Sequence, residues 1–190
     1  MIKVGLVGED PSDTSSIKNL LKTKYSDSVN FKPMLRNIRG HQLDNVKVTR
    51  SLAVEAKTEK CKFIIYIRDL DGLPTQQDLI IKKKSWFDNL NLITGKNNIF
   101  LLNIWELETL IFADIENFNK SYKTSLKCPG NPMHIADPKG RLKEATRKLN
   151  KKFEESHCPD IFNLLNLNTI SNNCTFFKTF LTDFDKRLED

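Results

Sequence analysis

Lys62-Phe63-Ile64-Ile65-Tyr66-Ile67, running directly into Arg68-Asp69-Leu70-Asp71-Gly72, decides the fold. The unbroken apolar run predicts a strand covered on both faces. Working outward, Ile2–Val7, Asn30–Leu35 and Asn98–Trp105 read as three further strands, the second the weakest. Between them, apolar residues recur at helical spacing: Ile17, Leu20, Leu21 and Tyr25; then Val48, Leu52 and Ala56; then Leu79, Ile80, Trp86, Phe87 and Leu90. Asp10 fits an N-cap, Pro11 a first helical position and Asp13 the favourable end of the helix dipole. The resulting βαβαβαβ order predicts an α/β fold, a mostly parallel four-stranded sheet with helices on both faces.

The last third reads differently. Pro129-Gly130-Asn131-Pro132 marks a turn. Leu142, Ala145, Leu149 and Phe153 then fit one amphipathic helix, and Phe176, Phe177, Phe180 and Phe184 a final one. Residues 122–190 are read as a helical extension packed on an α/β core of residues 1–121. A chain of 190 residues leaves little room for a second core, so a single compact domain is expected.

Composition narrows the function classes. Hydrophobic residues make up 39%, too many for a disordered chain. The longest apolar runs, Phe63–Ile67 and Ile99–Leu102, fall far short of a membrane span. Met1–Gly8 meets Glu9 and Asp10 without the apolar stretch of a secretory signal. Cys61, Cys128, Cys158 and Cys174 lie far apart with no CxxC pair, which argues against structural zinc and disulfides and for a cytoplasmic setting. Lysine and arginine number 30 against 24 acids, a net charge of +6. That excess suits a nucleic-acid partner and equally a solubilising surface.

The placement of the carboxylates is the sharper signal. Glu9 follows the first strand, Asp69 and Asp71 the third, and Glu106 and Glu108 the fourth, while Asp13 lies one helical turn beyond Glu9. Three strands thus deliver acids to one sheet edge, where open α/β sheets collect function. Clustered carboxylates repel and are costly to bury without a counter-cation. A hard divalent ion, Mg²⁺ or Mn²⁺, is the usual solution, and six acids suffice for two ions. Local alternatives stand beside this reading: Asp13 as a helix cap, and Glu106 or Glu108 capping a short helix Leu107–Ala113.

Gly8-Glu9-Asp10-Pro11-Ser12-Asp13 resembles the opening motif of the TOPRIM domain of topoisomerases, DnaG-type primases and nucleases, with Asp10 where a small glycine is usual. Arg68-Asp69-Leu70-Asp71-Gly72 resembles that family's second motif. Glu106-Leu107-Glu108, Asp137-Pro138-Lys139-Gly140 and the Phe-rich closing segment from Cys174 are similar to the branch of small TOPRIM proteins related to OLD (overcoming lysogenization defect) nucleases. The resemblance implies a Mg²⁺-dependent nuclease acting on DNA more than RNA. Glu9, Asp69 and Asp71 would be central ligands, Asp13, Glu106 and Glu108 would complete the metal sites, and Lys139 would stabilise charge on the scissile phosphate. It also implies anti-phage defence with a separate ATPase, since no GxxxxGK[ST] occurs in the chain.

Arg36, Arg39 and His41 follow the second strand on the acidic edge and are candidate phosphate contacts. Arg68 is either a further contact or a counter-ion. Lys82-Lys83-Lys84 reads as a solvated face. Two other readings stay open: a TOPRIM ribonuclease of RNA maturation, and a non-catalytic, metal-dependent module binding nucleic acid or protein. A homodimer is compatible with any of them.

Overall fold

The computed structural model describes residues 1–35 and 40–190. Four strands form one all-parallel sheet: β1 (Ile2–Val7), β2 (Val29–Pro33), β3 (Phe63–Asp69) and β4 (Ile99–Asn103), in the order β2-β1-β3-β4. The helices of the first part are α1 (Pro11–Tyr25), α2 (Val46–Glu59) and α3 (Gln77–Thr94). They are followed by α4 (Thr109–Ala113), α5 (Ile115–Tyr122), α6 (Pro138–Thr146), α7 (Cys158–Phe162), α8 (Leu167–Asn173) and α9 (Thr175–Glu189). Among the described residues, no helix is long and apolar enough to cross a membrane.

Side chains alternate along β3. Phe63, Ile65 and Ile67 join one apolar cluster with Ile17, Leu20 and Leu21 of α1, while Ile64 and Tyr66 join another with Leu52 of α2 and Leu90 of α3. The first cluster continues through α4 to α9, so the last third of the chain and α1 together cover one face. Phe184 of α9 stacks on or meets edge-on the rings of Tyr25, Phe31, Phe63 and Phe180.

Local chemistry sets the helix ends. Asp10 accepts from the Ser12 amide (2.8 Å) while Asp13 accepts from the Asp10 amide (3.0 Å), closing a capping box at the start of α1. Asn45 caps α2 by accepting from the Lys47 amide (2.9 Å), and Gly95, at φ 125°, stops α3.

Several sequence expectations need correction. The helix expected across Leu142–Phe153 stops at Thr146. The Thr146 hydroxyl accepts from the Phe153 amide (2.8 Å), which folds the chain back and brings Phe153 into the core from a turn. Phe176 is 36% exposed, because neighbours on a helix point about 100° apart and Phe177 takes the buried position. The fourth strand ends at Asn103, not Trp105, since Trp105 adopts φ 60°. Its amide donates to the Gly72 carbonyl (3.1 Å), and its carbonyl accepts from the Asp71 amide (2.9 Å). This fastens the loop after β3 to the end of β4.

Phe184 is the residue that ties α9 to the sheet. Phe184→Ala is expected to cost about 3–5 kcal/mol, the range for emptying a buried aromatic site. Urea denaturation followed by circular dichroism measures it; a loss below about 1 kcal/mol would mean that α9 is a dispensable cover.

Candidate metal and phosphate site

The chain leaves β1 towards β2 on one side, and β3 lies on the other. The gap between the carboxyl ends of β1 and β3 is therefore the topological switch point of the sheet, where open α/β folds bind ligands. Glu9 and Asp69 stand on its two sides. Beside it, a cleft of about 340 Å³ opens between the first turn of α1 and the end of β2, lined by Gly8, Asp10, Thr14, Lys18 and Pro33 among others.

The acids at this edge fall into three groups. The first is Asp13, Asp69 and Glu108. Burial pushes the Asp69 carboxyl well above the usual range, and the charges of Asp13, Glu108 and Glu9 push the same way against one hydrogen bond from Asn103. Asp13 is pushed up to about 7, by burial first; the Asp10 amide opposes, and Asp10, Glu9 and Glu108 add to the rise. Glu108 is also raised by burial, with Lys139 opposing. Among the described residues, none of these three carboxylates forms an ion pair within 4.0 Å. Glu108 occupies the cap position of α4, yet its side chain makes no cap hydrogen bond.

The second group is already neutralised. Arg68 Nε donates to Glu9 (2.6 Å), and both terminal nitrogens donate to Asp44 (2.8 and 3.1 Å), with the guanidinium 4.4 Å from the Trp86 ring centre. Lys83 pairs with Asp71 (3.0 Å) and approaches Glu9 (3.9 Å). Asp71 is 67% exposed. Arg68 is thus a counter-ion here, and Lys83 belongs to the site rather than to a solvated face. The third group lies at the rim: Lys139, second residue of α6, pairs with Glu106 and Glu155 (3.4 Å each). Burial alone would lower the Lys139 ammonium, but Glu108, Glu106 and Glu155 outweigh it and hold it above the ordinary lysine value. Asp137 caps α6 through the Gly140 amide (2.9 Å), and a Cβ at position 140 would collide with that carboxylate.

All six expected acids thus lie at one sheet edge, but Asp69 faces Asp13 and Glu108, while Glu9 and Asp71 share the Arg68–Lys83 cations. Arg36 and Arg39 lie outside the described residues, as does the side chain of His41. Sequence reasoning missed Asn103, which stands opposite Asp69 in the β3–β4 register and donates to it (3.0 Å). A polar residue closing an apolar strand was its only local signal. It also missed Asp44, Glu155 and Cys158, whose thiol lies 3.8 Å from Glu108; long-range folding brings these in, and no short motif marks them.

The donor set fits a hard divalent cation. Its members are carboxylate oxygens and one amide, as Mg²⁺ and Mn²⁺ require. Asn103 is 4% exposed, and its Oδ1 is buried without a hydrogen-bond partner beside Asp69. An orphaned buried acceptor of this kind costs about 1–3 kcal/mol, which a cation or a water would offset. Among the described residues, no three acidic, histidine or cysteine side chains already converge as a closed coordination shell. The acids are neighbours that a bound ion would have to draw together.

Asp13 gives a pH test. Its folded pKa lies above the unfolded one, so between about pH 4 and 7 the folded state holds a proton that the unfolded chain has lost. The contribution of this group to stability therefore falls as pH rises through that window. In chelator, Asp13→Asn is expected to gain on the wild type steadily from pH 4 to 7 and to be the more stable protein above it. Denaturant midpoints at several pH values check this; a constant difference between the two proteins would refute the shift.

No curated protein and no solved structure matches the chain. A family model does: residues 8–185 match a domain of unknown function, DUF4276. That span includes every acid of the site together with Lys139. The chain therefore belongs to the DUF4276 family.

Proposed function

We propose that this protein is a divalent-metal-dependent phosphodiesterase of the TOPRIM type, a nuclease acting on DNA in preference to RNA. The observation that carries the reading is the group Asp13, Asp69 and Glu108. These carboxylates are desolvated, raised in pKa and without an ion pair among the described residues, and Asp69 accepts from Asn103, whose own side-chain oxygen is buried and orphaned. Such a group is unfavourable as a purely structural device, because like charges in a poorly solvated site stabilise nothing. Perturbed carboxyls at a switch point are a functional signature. The sequence resemblance to OLD-related TOPRIM proteins supports the same chemistry.

Asp69 and Asp13 would hold the ion from the ends of β3 and α1, and Glu108 from the start of α4. Glu9 would join them on release from Arg68. A bound Mg²⁺ or Mn²⁺ supplies Lewis-acid polarisation of the phosphoryl oxygens and a more acidic water. Lys139 stays protonated, held at the rim by Glu106 and Glu155, and offers a fixed positive charge to an incoming phosphate. Arg68 would pass from Glu9 to the nucleic-acid backbone, as guanidinium groups bind phosphate and carboxylate with the same fork. The +6 net charge favours a polyanionic substrate. A cytoplasmic role in phage defence beside an ATPase partner fits this activity.

Three measurements test the proposal. Millimolar Mn²⁺ is expected to raise the melting temperature of the wild type and not that of Asp69→Asn, since an ion bound only by the native state stabilises it by mass action. Cleavage of plasmid DNA with Mg²⁺ or Mn²⁺ should vanish in chelator. Lys139→Ala should bind metal and DNA nearly as well as wild type yet cleave about 10²–10³-fold more slowly, the usual loss on removing one transition-state charge stabiliser. A wild type that neither binds metal nor cleaves would end the proposal.

A further inference from the structure

Residues 139–152 hold seven lysines and arginines and one acid, Glu144, a net +6 that equals the formal charge of the whole chain. The fold lays this segment out in two parts. Along α6 and its cap, Lys139, Lys143 and Arg147 are spaced four apart and so share one helix face. Lys139 and Lys143 both reach Glu155 (3.4 and 2.8 Å), and Arg147 pairs with Glu144 (3.3 Å). The stripe starts at the rim of the acidic group, and eight residues at about 1.5 Å each carry it about 12 Å away.

The second part is the turn that follows. Thr146 and Phe153, both buried and joined by a hydrogen bond, pin its two ends. Lys148, Lys151 and Lys152 stand exposed between them, and among the described residues none of the three forms an ion pair within 4.0 Å. The Lys151 ammonium lies 4.3 Å from the Tyr122 ring centre and 3.4 Å from the Ser121 hydroxyl. The turn is thus folded against the end of α5, where Lys120 and Lys123 are exposed as well. The helix dipole accounts for cations at the end of α5. It does not account for three more brought there from a segment remote in sequence. Like charges gathered on one surface repel, and a polyanion relieves them by binding.

We propose that this surface is the track of the nucleic-acid backbone: a strand whose scissile phosphate lies at Lys139 runs along α6 and is gripped through its phosphates by Lys148, Lys151 and Lys152, with Lys120 and Lys123 beside them. The inference rests on the nuclease reading for its ligand and adds where that ligand is held. A duplex strand advances about 3.4 Å per nucleotide, so about 12 Å sets the grip three to four nucleotides from the cut. Residues 139–152 contain no aromatic side chain, and Tyr122 is 3% exposed beneath Lys151. With no exposed ring of this segment to stack a base on, the grip is electrostatic and independent of base sequence.

Fluorescence anisotropy of a labelled DNA duplex in chelator, where nothing is cut, tests the track between about 50 and 200 mM salt. The variant carrying Lys148→Ala, Lys151→Ala and Lys152→Ala should lower the slope of log affinity against log salt by about two to three, one phosphate contact contributing about 0.9. Its rise in melting temperature with Mn²⁺ should equal that of the wild type, because the acidic group is untouched. A second triple variant, Lys22→Ala, Lys57→Ala and Lys62→Ala, removes the same charge at the far, amino edge of the sheet and should keep the wild-type slope. Lys148→Ala and Lys152→Ala singly, each lowering the slope by about one, decide the matter should the track variant fail to fold. An unchanged slope in the track variant overturns the inference and leaves the metal-dependent reading standing. Equal losses in the two triple variants overturn it also, since net charge alone would then explain binding. So does a wild type that binds phosphatidylserine vesicles but no DNA. A wild type that binds DNA through the track yet neither binds Mn²⁺ nor cleaves supports the track and ends the nuclease reading alone.

Discussion

A strand that is apolar on both faces exists only between two layers, and β3 imposes this condition on the whole molecule. Ile64 and Tyr66 need one cover, Phe63, Ile65 and Ile67 another. The helices α2 and α3 supply the first from within the βαβ units. The second does not come from α1 alone, because α1 makes its main strand contacts with β2 and β1 while α9 packs on β4. The chain supplies it from residues more than a hundred positions downstream, where α9 packs on β4 and inserts Phe184 between Tyr25, Phe31 and Phe63. The helical last third is therefore half of the core.

The same alternation sorts charge at the sheet edge. Arg68 and Asp69 are consecutive, so they leave β3 on opposite faces. Arg68 goes to the α3 side, stacks on Trp86 and binds Glu9 and Asp44. Asp69 goes to the α1 side, where Asp13 and Glu108 await it. A cation and an acid adjacent in sequence are thereby kept from neutralising one another. One face of the edge carries satisfied ion pairs; the other carries carboxylates raised in pKa by burial and by each other. Two unit charges about 4 Å apart interact by about 4 kcal/mol at an effective dielectric constant of 20. Neighbouring acids in such a site must therefore take up protons or a cation.

The sheet was legible because each of its signals is local. Apolar runs mark the strands, and Asp10, Pro11 and Asp13 mark the start of α1 by residue type. Glu9, Asp69, Asp71 and Glu106 were legible because they sit within three residues of strand ends, while Asp13 and Glu108 lie five or six residues beyond and were read from the helix starts that follow. What could not be read depends on contacts remote in sequence. Thr146 ends α6 by accepting a hydrogen bond from Phe153, seven residues on, while Leu149 and Phe153 still keep helical spacing. Phe176 and Phe177 look equivalent until α9 is packed. The division of Glu9 from Asp69 follows from Arg68 reaching Asp44, which no short motif links to it.

Lys139 shows how the two halves of the chain meet in one site. It stands at the start of a helix, where the dipole disfavours a cation, and it is partly desolvated, which disfavours one further. Both effects push its basicity down. Glu106 comes from the segment between β4 and α4 and Glu155 from the C-terminal layer, and both pair with it, while Glu108 acts on it from the acidic group. The acids prevail, and the ammonium is firmer than that of a free lysine. Its position is also fixed by Asp137, whose cap on α6 depends on glycine at position 140. Three separate parts of the chain thus spend interaction energy to keep one positive charge beside buried carboxylates. A structural ion pair needs only one partner. Here Glu106 and Glu155 hold the lysine in place from two sides, and the field of Glu108 favours its charge without pairing with it.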